Sequence, residues 1–125
     1  MNTHCGLHES LVFHGRILGA EESVSVCLQP GLQYGFHYGV PGRPLITSFS
    51  IDGMKVRGDY DWERIGDADW TFLALPFEGV TYTIWVSRPE SGDDLPQGRI
   101  EIAGRGANTT FAFEPSSIFS TLPFD

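Results

Sequence analysis

Five carboxylates and two tryptophans fall within thirteen residues, Gly58-Asp59-Tyr60-Asp61-Trp62-Glu63-Arg64-Ile65-Gly66-Asp67-Ala68-Asp69-Trp70. Clustered oxygen ligands on a flexible backbone are what a hard cation such as calcium requires. The spacing does not meet that requirement: two Asp-x-Asp pairs are present without the central Gly and distal bidentate Glu of a calcium loop. No metal is therefore assigned. The same residues suit an acidic recognition surface. Tyr60, Trp62 and Trp70 would act as anchors, and Asp59, Asp61, Glu63, Asp67 and Asp69 would steer a basic partner toward them. A plainer role stands beside that one, a solvated connection whose tryptophans cap the core.

Near the start lie His4, Cys5, His8 and His14. His-Cys-x-x-His offers three ligands and matches no closed zinc spacing, so a flexible terminus accounts for it. His37 stands between Phe36 and Tyr38 and should face away from their aromatic stripe, as a surface or hydrogen-bonded histidine rather than a base. Enzyme signatures are lacking: there is no Gly-x-Ser-x-Gly, no His-Glu-x-x-His, no phosphate-cradling glycine loop and no Cys-x-x-Cys. No cofactor is expected. A catalytic pair would have to assemble in space, from Glu63, Asp67, Glu78 or Glu101 with His37.

Charge narrows the partners. Eight Lys and Arg face sixteen Asp and Glu, a net charge of −8. Binding to nucleic acid or an anionic membrane needs clustered cations, and this balance argues against both. No window approaches the length of a membrane span. Residues 1–20 show no basic, then apolar, leader with a cleavage site, which gives the expectation of a cytoplasmic protein. In that compartment Cys5 and Cys27 are expected as free thiols rather than a bridge.

The elements that must hold these residues have period two. Ser23–Leu28 alternates, with Val24, Val26 and Leu28 on one face; Tyr34, Phe36 and Tyr38 do the same, as do Leu45, Thr47, Phe49 and Ile51. Val80–Ser87 is the strongest strand, β-branched or aromatic at nearly every position, and is expected at the centre of its sheet with Tyr82, Ile84 and Val86 inward. Leu11–Leu18, Trp70–Leu75, Ile100–Ile102 and Phe111–Phe113 bring the total to about eight. Turn chemistry separates them: Pro30-Gly31, Gly39-Val40-Pro41-Gly42, Asp52-Gly53, Glu78-Gly79 and Gly104-Arg105-Gly106. Asp52-Gly53, between Leu45–Ile51 and Met54–Arg57, is the strongest hairpin signal. Asp61–Asp69 has room for one helical turn at most. The 125 residues thus predict one all-β domain, an antiparallel β-sandwich or partly open β-barrel of seven to nine strands with little helix. Residues 1–9 or so should form a flexible N-terminus, and residues 114–125 an extended tail that packs through Ile118, Phe119, Leu122 and Phe124.

Ser23-Val24-Ser25-Val26-Cys27 followed by Tyr34-Gly35-Phe36-His37-Tyr38-Gly39-Val40-Pro41-Gly42 resembles a pattern in small uncharacterised bacterial β-proteins. In those proteins a Ser-Val-x-Cys strand precedes a Tyr-x-Tyr-Gly-x-Pro-Gly hairpin. Gly79–Ile84 and Gly98–Ile102 are similar to their closing strands, so the resemblance covers about residues 23–103. Members are often exported, which keeps a periplasmic location open, and they carry another late cysteine that this chain lacks. The resemblance implies a compact β-domain and carries over no activity. Small size, strong negative charge, aromatic-rich surface loops and absent catalytic motifs lead instead to an expected protein-binding domain. The concrete form is a bacterial immunity or inhibitor protein that neutralises a toxin by blocking a basic partner such as a nuclease. The alternative is a small-ligand-binding β-barrel, with a cavity lined by Tyr34, Tyr38, Tyr82 and Trp85, or a small carboxylate-dependent enzyme.

Overall fold

Alternating apolar residues and frequent turns can bury one face per strand only if two sheets close on each other. The computed structural model has that form. It describes residues 3–65, 68–89 and 95–121, with the backbone alone at 57–65, 68–69 and 88–89. Ten strands make two antiparallel five-stranded sheets. The first contains β1 (Ser10–Arg16), β2 (Ser23–Gln29), β3 (Gln33–Gly39) and β4 (Thr47–Asp52), with the two-residue β10 (Phe119–Ser120) beside β1. The second is a meander of β5 (Arg57–Ile65), β6 (Ala68–Phe77), β7 (Val80–Pro89), β8 (Gly98–Gly104) and β9 (Ala107–Ala112). At one corner Ile17 bridges Phe113 and links the sheets, which do not close into a barrel. The all-β sandwich expected from the sequence is what forms.

The core lies between the sheets. Val24, Val26, Phe36, Phe49 and Ile51 come from the first, and Leu73, Leu75, Ile84, Val86 and Ile100 from the second. Phe36 and Phe49 meet the ring of Tyr82 at 4.9 and 5.1 Å, and Phe49 stacks on Phe77 at 4.3 Å. As expected, β7 is the central strand of its sheet, with Ile84 and Val86 buried and Tyr82 packed on the core. Two tight hairpins follow their turn chemistry: Glu78-Gly79 and Arg105-Gly106 each place two successive residues at positive φ, the type I′ geometry that matches strand twist.

Four expectations are corrected. Asp52-Gly53 does not close a hairpin. The Asp52 side chain instead accepts a hydrogen bond from the Met54 N–H and caps a single 3-10 turn, Gly53–Lys55, through which the chain leaves β4 for the second sheet. An Asp that caps a turn and an Asp in a hairpin look identical in sequence. The segment around Asp61–Asp69 is not a connection or helical turn, for its backbone lies largely in the paired strands β5 and β6. Cys5 and Cys27 are not free thiols; they form a disulfide across a separation of 22 residues. Residues 3–9 are accordingly not a loose lead-in. The disulfide ties them to β2, the His4 N–H donates to Ser25 Oγ, and Glu9 accepts from the Gln29 side chain. At the other end, β10 pairs with β1 and Ile118 packs on the core; Leu122 and Phe124 lie outside the described residues.

Candidate functional site

The outer face of the first sheet is polar and covered. Alternation would expose Ser23, Ser25 and Cys27 while Val24 and Val26 point inward, yet all five are buried. The N-terminal segment lies over them as a strap. His14, buried on β1, places Nδ1 2.9 Å from Ser25 Oγ, and that oxygen also accepts the His4 N–H at 3.1 Å. His4 Nε2 lies 3.0 Å from Ser23 Oγ. A Ser–His contact of this length is within reach of nucleophile activation. Here Ser25 is fully buried and His14 nearly so, which closes the pair to any substrate. Burial holds the imidazole of His14 below its ordinary pKa, with the charge of His4 adding to the effect, and burial does the same at His4.

Further along the same face, His37 and Glu9 come together. His37 Nδ1 contacts Ser48 Oγ at 2.8 Å, while its Nε2 is buried without a hydrogen-bond partner and stands 3.8 Å from Glu9 Oε2. The Glu9 carboxylate accepts from the Gly6 N–H at 2.6 Å and from the Gln29 amide at 2.7 Å. Burial opposes its charge, but these hydrogen bonds and the nearby imidazole prevail and hold the carboxyl below its usual range. Gly35 makes the arrangement fit, since a Cβ there would come within 2.6 Å of the Gln29 amide and 3.0 Å of His37 Nε2. His37 is thus neither a free surface residue nor fully satisfied. The long-range pairing with Glu9 left no signal in the sequence.

The outer face of the second sheet differs in kind. Trp70 and Phe72 on β6, Trp85 on β7 and Arg99 on β8 share it, with Phe72 and Trp85 at 5.1 Å between ring centroids. The Arg99 guanidinium lies 5.3 Å from the ring centroids of both Trp70 and Trp85, and its Nε donates to Glu101 at 2.9 Å. Neither indole N–H finds a partner among the described residues. The strand beside β6 is β5, at the sheet edge, and its register sets Asp59 opposite Phe72 and Asp61 opposite Trp70.

Of the eight residues singled out for partner binding, Trp70 alone has a described side chain. Asp59, Tyr60, Asp61, Trp62 and Glu63 lie on β5 and Asp69 on β6, where the backbone alone is described; Asp67 falls outside the described residues. Phe72, Trp85 and Arg99 were missed as neighbours of that segment. Period-two positions 70 and 72 were the available signal, since both fall on one face of β6. The carboxylates weighed as catalytic partners for His37 are scattered. Glu101 is on the outer face of the opposite sheet, Glu78 is in the β6–β7 turn, and the Glu63 side chain and Asp67 lie outside the described residues.

Between the sheets a cavity of about 170 Å³ is lined by Tyr38, Thr47, Tyr82, Ile102 and Phe111 among others. Tyr34 and Trp85, expected there, are not among its lining residues. Burial, with the charge of Glu22, raises the Tyr38 phenol above its ordinary value. Comparison with protein-family models, with curated proteins and with solved structures finds no significant match to this chain.

Proposed function

We propose that this is a small acidic protein-binding domain, most concretely a bacterial immunity or inhibitor protein that neutralises a toxin by covering a basic surface such as a nuclease active site. The supporting observation is the outer face of the second sheet. There the half-buried Trp70, Phe72 and Trp85 share one face with Arg99, and the adjacent edge strand carries Asp59, Asp61 and Glu63. Aromatic side chains are favoured anchors at interfaces because they bury a large area at little entropic cost. Arg99 itself is already paired with Glu101. With a net charge of −8, the field favours a cationic partner.

The test is capture from the native host lysate with two baits, the wild type and an Asp59→Lys/Asp61→Lys variant. The expected result is a basic protein retained by the wild type and lost from the variant. Retention of the same proteins by both baits, or of no basic protein by the wild type, contradicts the reading.

A second reading draws on the inter-sheet cavity. At about 170 Å³ it is smaller than the roughly 300–1,000 Å³ of ordinary ligand pockets. It would admit a compact apolar molecule but no extended substrate. Displacement of such a probe by Phe111→Trp would separate this reading from the first.

A further inference from the structure

The strap and the first sheet bring three metal-ligating side chains to one point, with a fourth bonded to one of them. One ligand atom each from Glu9, Cys27 and His37 lies within 4.8 Å of the others. Cys5 Sγ is not one of these three atoms but adjoins them through its bond to Cys27 Sγ. The sulfur bond occupies both thiols in the oxidised chain. Once it is opened, the four groups supply two sulfurs, an imidazole and a carboxylate, a donor set that zinc accepts in tetrahedral geometry. We propose that the reduced protein binds one Zn²⁺ through Cys5, Cys27, His37 and Glu9, so that the N-terminal strap is fastened by a disulfide under oxidising conditions and by the metal under reducing ones.

Three features point to a built site rather than a chance grouping. His37 Nε2 is buried and lacks a hydrogen-bond partner, while Nδ1 is held by Ser48 at 2.8 Å, the outer contact that fixes the ring of a metal-bound histidine. Glu9 is likewise oriented from outside, by the Gly6 N–H and the Gln29 amide. Gly35 leaves the space in which Gln29 and His37 meet. The sequence motif His-Cys-x-x-His contributes only its cysteine. The other ligands come from Glu9, β2 and β3, which is why linear spacing did not disclose them.

The chemistry balances simply. A dithiol reductant gives two electrons and two protons to the Cys5–Cys27 bond, leaving two thiols and its own disulfide. Cys5 is the half-buried sulfur and Cys27 the fully buried one, so attack falls on Cys5. Zn²⁺ then displaces the two thiol protons and takes two thiolates, neutral His37 and the Glu9 carboxylate, for a net site charge of one negative.

Binding of Zn²⁺ to the full chain tests this, measured by competition with a chromogenic chelator before and after reduction with a phosphine. Co²⁺ serves as a spectroscopic substitute. The expected result is one tightly held Zn²⁺ per reduced chain, none in the oxidised chain, and the visible cobalt bands of a tetrahedral thiolate site. His37→Ala and Glu9→Gln should each weaken binding by at least about tenfold. His8→Ala, outside the cluster, should leave it unchanged. If reduction loosens the fold, zinc should restore the β-sheet circular dichroism. Equal zinc binding before and after reduction overturns the proposal, as does wild-type affinity in both His37→Ala and Glu9→Gln, or a reduced chain whose fold zinc fails to recover.

Discussion

The two outer faces of this sandwich solve the same problem in opposite ways. Each sheet must present one side away from the shared core. The first sheet covers that side with its own N-terminal segment, which seals Ser23, Ser25 and Cys27 and by burial holds two histidines below their ordinary pKa. The second leaves three aromatic rings and an arginine on its outer side, next to an acidic edge strand. A polar face that the chain itself covers contributes to stability. The aromatic face of the second sheet is half-buried and carries no such strap among the described residues. Under the proposed function, one side of the molecule serves structure and the other recognition.

Several substitutions would break or sharpen this contrast. Ile84→Ala empties the middle of β7, a fully buried site, and should cost about 2–5 kcal/mol in urea unfolding. A loss below about 1 kcal/mol would mean that the second sheet is not stabilised from its inner side. Opening the strap comes next. With the cysteines 22 positions apart, loop entropy puts the loss for Cys5→Ser at about 3 kcal/mol in zinc-free buffer. An unchanged midpoint would show that the strap adds nothing.

Acid should act on the strapped face first. His4 and His14 have folded pKa values below the ordinary 6.5, so the unfolded chain binds more protons in the window beneath 6.5. Their contribution is complete above that pH and is lost as pH falls through the window. Glu9, held below 4.5, adds a second loss at lower pH as its own folded value is crossed. Melting temperature should therefore decline from about pH 7 toward 5, and His14→Gln should flatten the decline. A flat wild-type profile would contradict neutral, buried histidines.

The smallest effect belongs to the open face. Arg99→Ala removes a cation–π contact and a half-exposed ion pair, together worth less than about 1 kcal/mol of stability. A loss as large as that of Cys5→Ser would mean that Arg99 holds the fold together and that the two faces are not so different.

Much of this architecture is legible in the sequence because β-strand burial has a local period. The alternation in Val80–Ser87 predicts which of its residues face the core, and Glu78-Gly79 announces its own turn chemistry. What escapes is non-local. Ser23, Ser25 and Cys27 look solvent-facing because nothing in their spacing reveals a strap above them. His37 and Glu9 are 28 positions apart, and only the pairing of β2 with β3 and the anchoring of residues 3–9 bring them together. Asp52-Gly53 misleads for the opposite reason: the local signal is genuine, but the side chain uses it to cap a 3-10 turn. For the acidic segment, composition pointed to Trp70, while strand register was needed to find Phe72, Trp85 and Arg99 beside it.

The proposed division of labour between the faces is tested most directly by association kinetics with a basic protein captured from the host lysate, one variant from each side. Asp59→Lys/Asp61→Lys alters the edge of the open face, and Glu9→Gln alters the strapped one. At low salt the open-face variant should associate at least about tenfold more slowly, with a flatter dependence on ionic strength, because charges act mainly on encounter. Glu9→Gln should associate at the wild-type rate. Wild-type association by the charge-reversed variant in low salt, or equal slowing by both, would contradict the assignment of recognition to the second sheet.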